Sequence, residues 1–164
     1  MLAARTYPMT EAGYRALETE LAQLKKKDRP AVIEAISEAR KHGDLSENAE
    51  YHAAKEKQAF LERRISDLED RLAHAAVIEI KEQVRDTIAF GATVTLEDKN
   101  TGRAVSYQLV GETEANLAEG RLSIGAPLAK SLLGKRSGDA VTVETPGGLK
   151  GYKIKNVVYE VAED

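Results

Sequence analysis

The run His42-Gly-Asp-Leu-Ser-Glu-Asn-Ala-Glu-Tyr51 sets two carboxylates, Asp44 and Glu47, three residues apart where a helical pattern breaks at Gly43 and resumes by Glu47. That spacing brings both to the same end of a helix. Two kinds of chemistry fit. An Asp-x-x-Glu start is a capping box, in which Asp44 accepts from the backbone N–H of Glu47 and Glu47 reaches back to the N–H of Asp44. Alternatively, the pair supplies part of a cation site. Mg²⁺ takes six near-octahedral oxygens, so two carboxylates make an incomplete cage whose remaining ligands would come from a partner and its bound nucleic acid. Spacing leaves both readings open.

Polar and basic residues flank the pair. Arg40, Lys41 and Lys55 could meet phosphates, or they form an ordinary solvated face. Asn48 offers an amide for hydrogen bonding. Tyr51 offers a ring for stacking, but it also lies on an apolar stripe, where packing explains it. His42 and His52 read as solvent-facing, with no proton-transfer role.

Long helices must position this tip. Tyr14, Leu17, Leu21 and Leu24, then Val32, Ile36 and Ala39, recur at three-four spacing, and a second stripe runs Tyr51, Ala54, Leu61, Ile65, Leu68, Leu72 and Ala75. Each stripe is narrow and edged with Lys, Arg and Glu, so the two zip against one another as an antiparallel coiled-coil hairpin. Pro30 either kinks the first helix or opens a restarted one with Asp28 near its cap. At about 1.5 Å per residue, an arm of about 30 residues projects roughly 45 Å, which suits a reaching function.

The chain changes character near residue 80. From Phe90 onward Gly, Thr and Val become frequent and apolar residues alternate. Ala92–Leu96, Ala104–Val110, Ala140–Glu144 and Tyr152–Val161 read as strands around turns at Asn100–Gly102 and Pro146–Gly148, with one short helix at Pro127–Leu133. The expected class is α+β: a coiled-coil domain over residues 1–80 with the acidic tip, a seam at Glu79–Thr87, and a sheet domain over residues 81–164.

Composition narrows the function. Aromatics are 5% of the chain and Trp is absent, which disfavours an aromatic-lined small-molecule pocket. A formal net charge of -3 disfavours autonomous duplex DNA binding, so any RNA contact is local and assisted. No Cys is present, which removes thiol chemistry and cysteine-ligated zinc, and His42, His52 and His74 are too dispersed for a metal cage. The expectation is a cytoplasmic protein with no membrane partner, since no apolar run approaches the roughly 20 residues of a membrane span and Met1–Thr10 lacks a signal-peptide layout.

The run Ile33-Glu-Ala-Ile-Ser-Glu-Ala-Arg-Lys-His-Gly-Asp-Leu-Ser-Glu-Asn-Ala-Glu-Tyr-His-Ala-Ala-Lys-Glu56 resembles the tip signature of the GreA/GreB family of bacterial transcript cleavage factors. Pro8-Met-Thr10, Arg29-Pro30, Phe90-Gly-Ala-Thr-Val94, Leu133-Gly-Lys135 and Thr145-Pro-Gly-Gly148 resemble its other landmarks in the same order, so the likeness covers nearly the whole chain. It implies a coiled coil that enters the secondary channel of RNA polymerase and an FKBP-like antiparallel sheet domain with one short helix that docks on the channel rim. The protein would not itself be an enzyme. It would stimulate the polymerase's own Mg-dependent hydrolysis of backtracked RNA, acting at the nascent RNA 3′ end. Asp44 and Glu47 would be the acidic tip residues, holding a Mg²⁺ shared with the polymerase, with no cofactor of the protein's own, and Arg40, Lys41, Asn48, Tyr51 and Lys55 would support the RNA end or the active site. Ser123, Ile124, Gly125 and Pro127 would contact the rim, against the plainer reading of a strand end with Ile124 facing the core.

Three rivals stand beside this expectation. A Gre-homologous channel-binding inhibitor carries a more acidic tip than Gly43-Asp44-Leu45 with Glu47 and Asn48. A GreB-type factor has a broad basic face, which Glu38, Glu50 and Glu56 interrupt here. An FKBP-like isomerase or chaperone needs an apolar cleft walled by aromatics, and the second part offers Phe90, Tyr107, Tyr152 and Tyr159.

Overall fold

The computed structural model describes residues 5–43, 47–80 and 87–160. Two units pack separately: Tyr14–Ala75 forms one, and Arg5–Gly13 joins residues from Ala76 onward in the other.

The first unit is the helical hairpin. α1 (Glu11–Gln23) runs through a π-helical turn (Leu24–Asp28) into α2 (Arg29–Arg40), and α3 (Ala49–Ala73) returns against them. Leu17, Val32, Ile36, Ala39, Ile65 and Leu68 are buried, which places both apolar stripes face to face. Of the two expectations for Pro30, the structure shows the restarted helix, with Asp28 at the N-cap position. Pro30 lies in the first turn of α2, and Asp28 makes no side-chain cap bond. The mismatch is absorbed just upstream, where the Arg29 N–H reaches back five residues to the Leu24 carbonyl. A π turn of this kind lets the chain adjust its hydrogen bonding ahead of a residue with no N–H to give.

Charged residues at the stripe edges pair across the hairpin. Arg29 grips Glu62 through Nε and Nη2, both at 2.9 Å, and Arg64 grips Glu20 at 2.9 and 2.8 Å. Lys25 meets Glu69 at 3.2 Å. These pairs fix the antiparallel register more than they add stability, because each is solvent-exposed. α3 ends at Ala73, so Ala75 leaves the helical stripe and enters a strand instead.

In the second unit, β1 (Tyr7–Met9) pairs with β2 (Ala75–Val77), and the Ile78 N–H donates to the Met9 carbonyl at 2.8 Å. A five-stranded sheet follows, ordered β5-β4-β3-β7-β6, from β3 (Thr93–Asp98), β4 (Ala104–Val110), β5 (Arg121–Ser123), β6 (Ala140–Thr145) and β7 (Gly148–Val158). The sheet is mixed rather than wholly antiparallel. β5 lies parallel to β4, because the intervening chain makes two short 3₁₀ turns, Glu112–Glu114 and Leu117–Glu119, and re-enters in the same direction. A bulge between Thr95 and Leu96 shifts the β3–β7 register and leaves Lys155 without an opposite residue.

The buried face of the sheet carries Val94, Leu96, Leu109 and Ile154, covered by α4 (Pro127–Leu132) through Ala129 and Leu132. Tyr159 closes one side of this core: its hydroxyl donates to the Thr87 carbonyl at 2.6 Å and accepts from the Ala89 N–H at 2.8 Å. Ile80 packs against the same core, beside Gly91. Most of the expected tether lies outside the described residues.

Candidate functional site

α3 does not start with the Asp44–Glu47 capping box. Its N-cap is Asn48, in extended backbone conformation, whose Oδ1 accepts from the Tyr51 N–H at 3.0 Å. Glu47 precedes the cap and is exposed, so it cannot be the third helical residue that a box requires. Asn48 wins the cap because its side chain has a second use. Its Nδ2 donates to the Ala39 carbonyl in the last turn of α2 at 2.6 Å, adding a second partner to a group that also accepts from the His42 N–H. Asp44 lies outside the described residues.

The other expected tip residues divide by environment. Arg40 closes α2, and its guanidinium stands 5.9 Å from the centroid of the Tyr51 ring. Tyr51 is half-buried and meets the edge of His52 at 5.6 Å, so the ring is an internal prop of the hairpin end. Lys41 is exposed and pairs with Glu38 at 3.1 Å, while Lys55 is exposed and donates to Gln58 at 3.2 Å. The structure therefore gathers Arg40, Glu47, Asn48 and Tyr51 around the junction of α2 and α3. Lys55 sits one turn further along α3. Among the described residues no group of three or more His, Asp or Glu side chains could cage a metal.

The expected rim residues form a continuous segment of the second unit. Ser123 ends β5, and its Oγ accepts from the Gly125 N–H at 3.2 Å. Ile124 is half-buried against the sheet core, with its N–H donating to the Val110 carbonyl at 2.9 Å. Gly125 is exposed, and the exposed Pro127 opens α4. Composition gave no hint of what lies beside them. A groove of about 460 Å³ runs between Ser123–Ala126 and Arg5–Pro8, with Thr113 in its wall. Its one aromatic is Tyr7, which is unlike the aromatic-walled cleft of a prolyl isomerase. A three-residue strand such as β1 leaves too short a pattern to read from sequence.

A latch beside this groove holds the start of α1. Thr10 caps the helix by accepting from the Gly13 N–H at 3.0 Å, and the Glu114 carboxylate accepts from both the Thr10 N–H, at 2.9 Å, and the Thr10 hydroxyl. The Gly111 N–H donates to the same carboxylate at 3.3 Å.

Comparison with known proteins agrees with this architecture at both ends of the chain. A family model described as "Transcription elongation factor, N-terminal" matches residues 7–77, and one described as "Transcription elongation factor, GreA/GreB, C-term" matches residues 82–159. The chain is 53% identical over 154 residues to a protein named transcription elongation factor GreA from Beijerinckia indica, covering 94% of this chain and 98% of that one. It is 57% identical over 150 residues to the protein of the same name from Rhodopseudomonas palustris, covering 92% and 94%. A crystal structure of GreA factor homolog 1 from Thermus thermophilus is 31% identical, covers 93% of this chain and 99% of its own, and superposes with a TM-score of 0.43. With both halves matched in order, the chain belongs to the GreA/GreB family of transcription elongation factors.

Proposed function

We propose that this protein is a GreA-type transcript cleavage factor, which inserts its helical hairpin into the secondary channel of RNA polymerase and stimulates the polymerase to cut backtracked RNA. The observation that carries the reading is Glu47, an exposed carboxylate just outside the N-cap of α3 and released from the capping role that would otherwise explain it. Family membership supports the same reading.

The tip would act by lending ligands. A divalent ion held between polymerase carboxylates and the tip would lower the pKa of a bound water and offset charge on the scissile phosphate. Glu47, with Asp44, would present carboxylate oxygens to that shared site and orient the water. Arg40 and Lys41 would face the phosphates of the extruded RNA 3′ end, which gives an acidic protein the local attraction it needs. Lys55 would extend that basic flank along α3. Ser123, Ile124, Gly125 and Pro127 would rest on the rim of the channel, with the half-buried Ile124 shaping the segment from within.

The test uses stalled elongation complexes with purified polymerase. Asp44→Asn and Glu47→Gln should each lower RNA cleavage by roughly a hundredfold while polymerase binding persists, because amides keep the size and lose the charge that a metal needs. Raising Mg²⁺ should restore part of the rate. Normal cleavage by the double variant at limiting Mg²⁺, or inhibition of the polymerase by the unaltered protein, would overturn the proposal.

A further inference from the structure

Asn48 stands among the residues that could support the RNA end or the active site, yet both of its polar side-chain atoms are committed inside the hairpin. One satisfies an orphan N–H at the start of α3, and the other donates to a carbonyl at the end of α2. The amide orientation follows from its partners, since the Tyr51 N–H can only donate and the Ala39 C=O can only accept. A single side chain thus joins the two helix ends across the turn. The Ala39 carbonyl also accepts from the His42 N–H at 3.1 Å, and the Asn48 carbonyl accepts from the His52 N–H at 3.1 Å, so the junction is hydrogen-bonded on both sides.

Glu47 is the residue bonded directly to this junction. Its backbone carbonyl carbon is attached to the Asn48 nitrogen, so the direction in which the carboxylate leaves the hairpin is set by how Asn48 is held. We propose that Asn48 is the positioning residue for Glu47: by tying the Ala39 carbonyl to the first turn of α3, it aims the Glu47 carboxylate without touching RNA or metal. The inference rests on the cleavage reading above. It makes Asn irreplaceable even by equally good caps. Asp and Ser keep an acceptor for the Tyr51 N–H, but Asp sets a carboxylate oxygen against the Ala39 carbonyl and Ser is too short to span to it.

Two measurements test this on the full-length protein. The first is amide hydrogen exchange on the protein alone. In Asn48→Ser, exchange at His42 should accelerate while the Tyr51 amide stays protected, showing that the latch is lost and the cap kept; unchanged protection at His42 overturns the latch. The second is a double-mutant cycle in the RNA cleavage assay. Asn48→Ser should lower the maximal rate by roughly ten- to a hundredfold, as small misplacements of a working group do, with the half-saturating concentration of the protein unchanged. Asn48→Asp should show the same loss, which separates the latch from the cap. In the Glu47→Gln background, Asn48→Ser should change the rate by less than about twofold, because its effect passes through a carboxylate that is no longer there. Independent, additive losses would overturn the proposal and return Asn48 to a direct contact with RNA. A raised half-saturating concentration with an unchanged maximal rate would overturn it too, in favour of a binding role. Should Glu47→Gln alone leave cleavage at the unaltered rate, the cleavage reading of Glu47 falls, and the positioning role falls with it while the exchange result still decides whether the latch exists.

Discussion

Gly111 is glycine because the Pro8 carbonyl oxygen stands where its Cβ would be, well inside van der Waals contact. Its φ of −68° is ordinary, so space and not backbone conformation excludes a side chain. The obstacle is main chain and cannot swing aside. Gly13 faces a softer obstacle, the Glu114 carboxylate, which can move but only by releasing Thr10. Gly111→Ala should therefore cost about 2–3 kcal/mol by overpacking. Gly13→Ala should cost about 1 kcal/mol net, reversing the gain that Ala normally brings to a helix. Urea unfolding of the two variants checks both the order and the sign; a stabilised Gly13→Ala would show that the Thr10–Glu114 latch contributes little. None of this could be read from sequence. Thr10 followed three residues later by Gly13 gives no capping-box signal, and its partner Glu114 is 104 positions away.

The helices register themselves through charge as well as through their stripes. The hydrogen bond from Arg29 holds the Glu62 carboxyl below the ordinary glutamate range, and the same bond raises the Arg29 guanidinium further. Lys155 lowers Glu97 in the same way on the sheet. A carboxylate with a depressed folded value adds stability that is fully present above its unfolded value, about 4.3, and is lost as pH falls through the folded value. Glu62→Gln should accordingly flatten the acid side of the thermal midpoint against pH and leave the neutral region nearly unchanged. High salt should shrink the difference, because the pair is exposed. A variant whose acid limb matches the unaltered protein would show that Glu62 has no ion-pair role in solution. At this scale sequence reading did well. Stripe spacing is a local, repeating property, so it survives into the structure at Leu17, Val32, Ile36, Ile65 and Leu68. The short 3₁₀ turns leave no trace in the sequence and β5 shows only as a strand end before Ile124, because three residues carry no period.

Each unit carries its own core, and the two cores can be weakened separately. Leu68 is fully buried in the hairpin and Leu96 is fully buried in the sheet. Leu68→Ala and Leu96→Ala should each cost about 2–5 kcal/mol by leaving a cavity. Amide exchange read residue by residue should then speed up first along α3 in the one variant and along β3 and its neighbours β4 and β7 in the other. Equal acceleration of α3 and β3 in both variants would show that the cores do not unfold as separate units. Packing assigns Arg5–Gly13 to the second unit although these residues precede the hairpin in sequence, and the compositional break near residue 80 does not reveal that.

Sequence by itself determined the helical hairpin, the strand-rich second part, the short helix at Pro127 and the location of the tip, because periodicity, turn residues and family landmarks are all local signals. The tertiary structure alone decided which residue caps α3. Asp44 and Asn48 are comparable caps by type, and a local pattern with Glu47 three residues on favoured Asp44. The difference is that Asn48 lies within reach of the Ala39 carbonyl once α2 and α3 are paired, so its amide serves both helix ends at once. That second bond exists only after the hairpin closes, and it leaves Glu47 exposed outside the cap rather than spent within it.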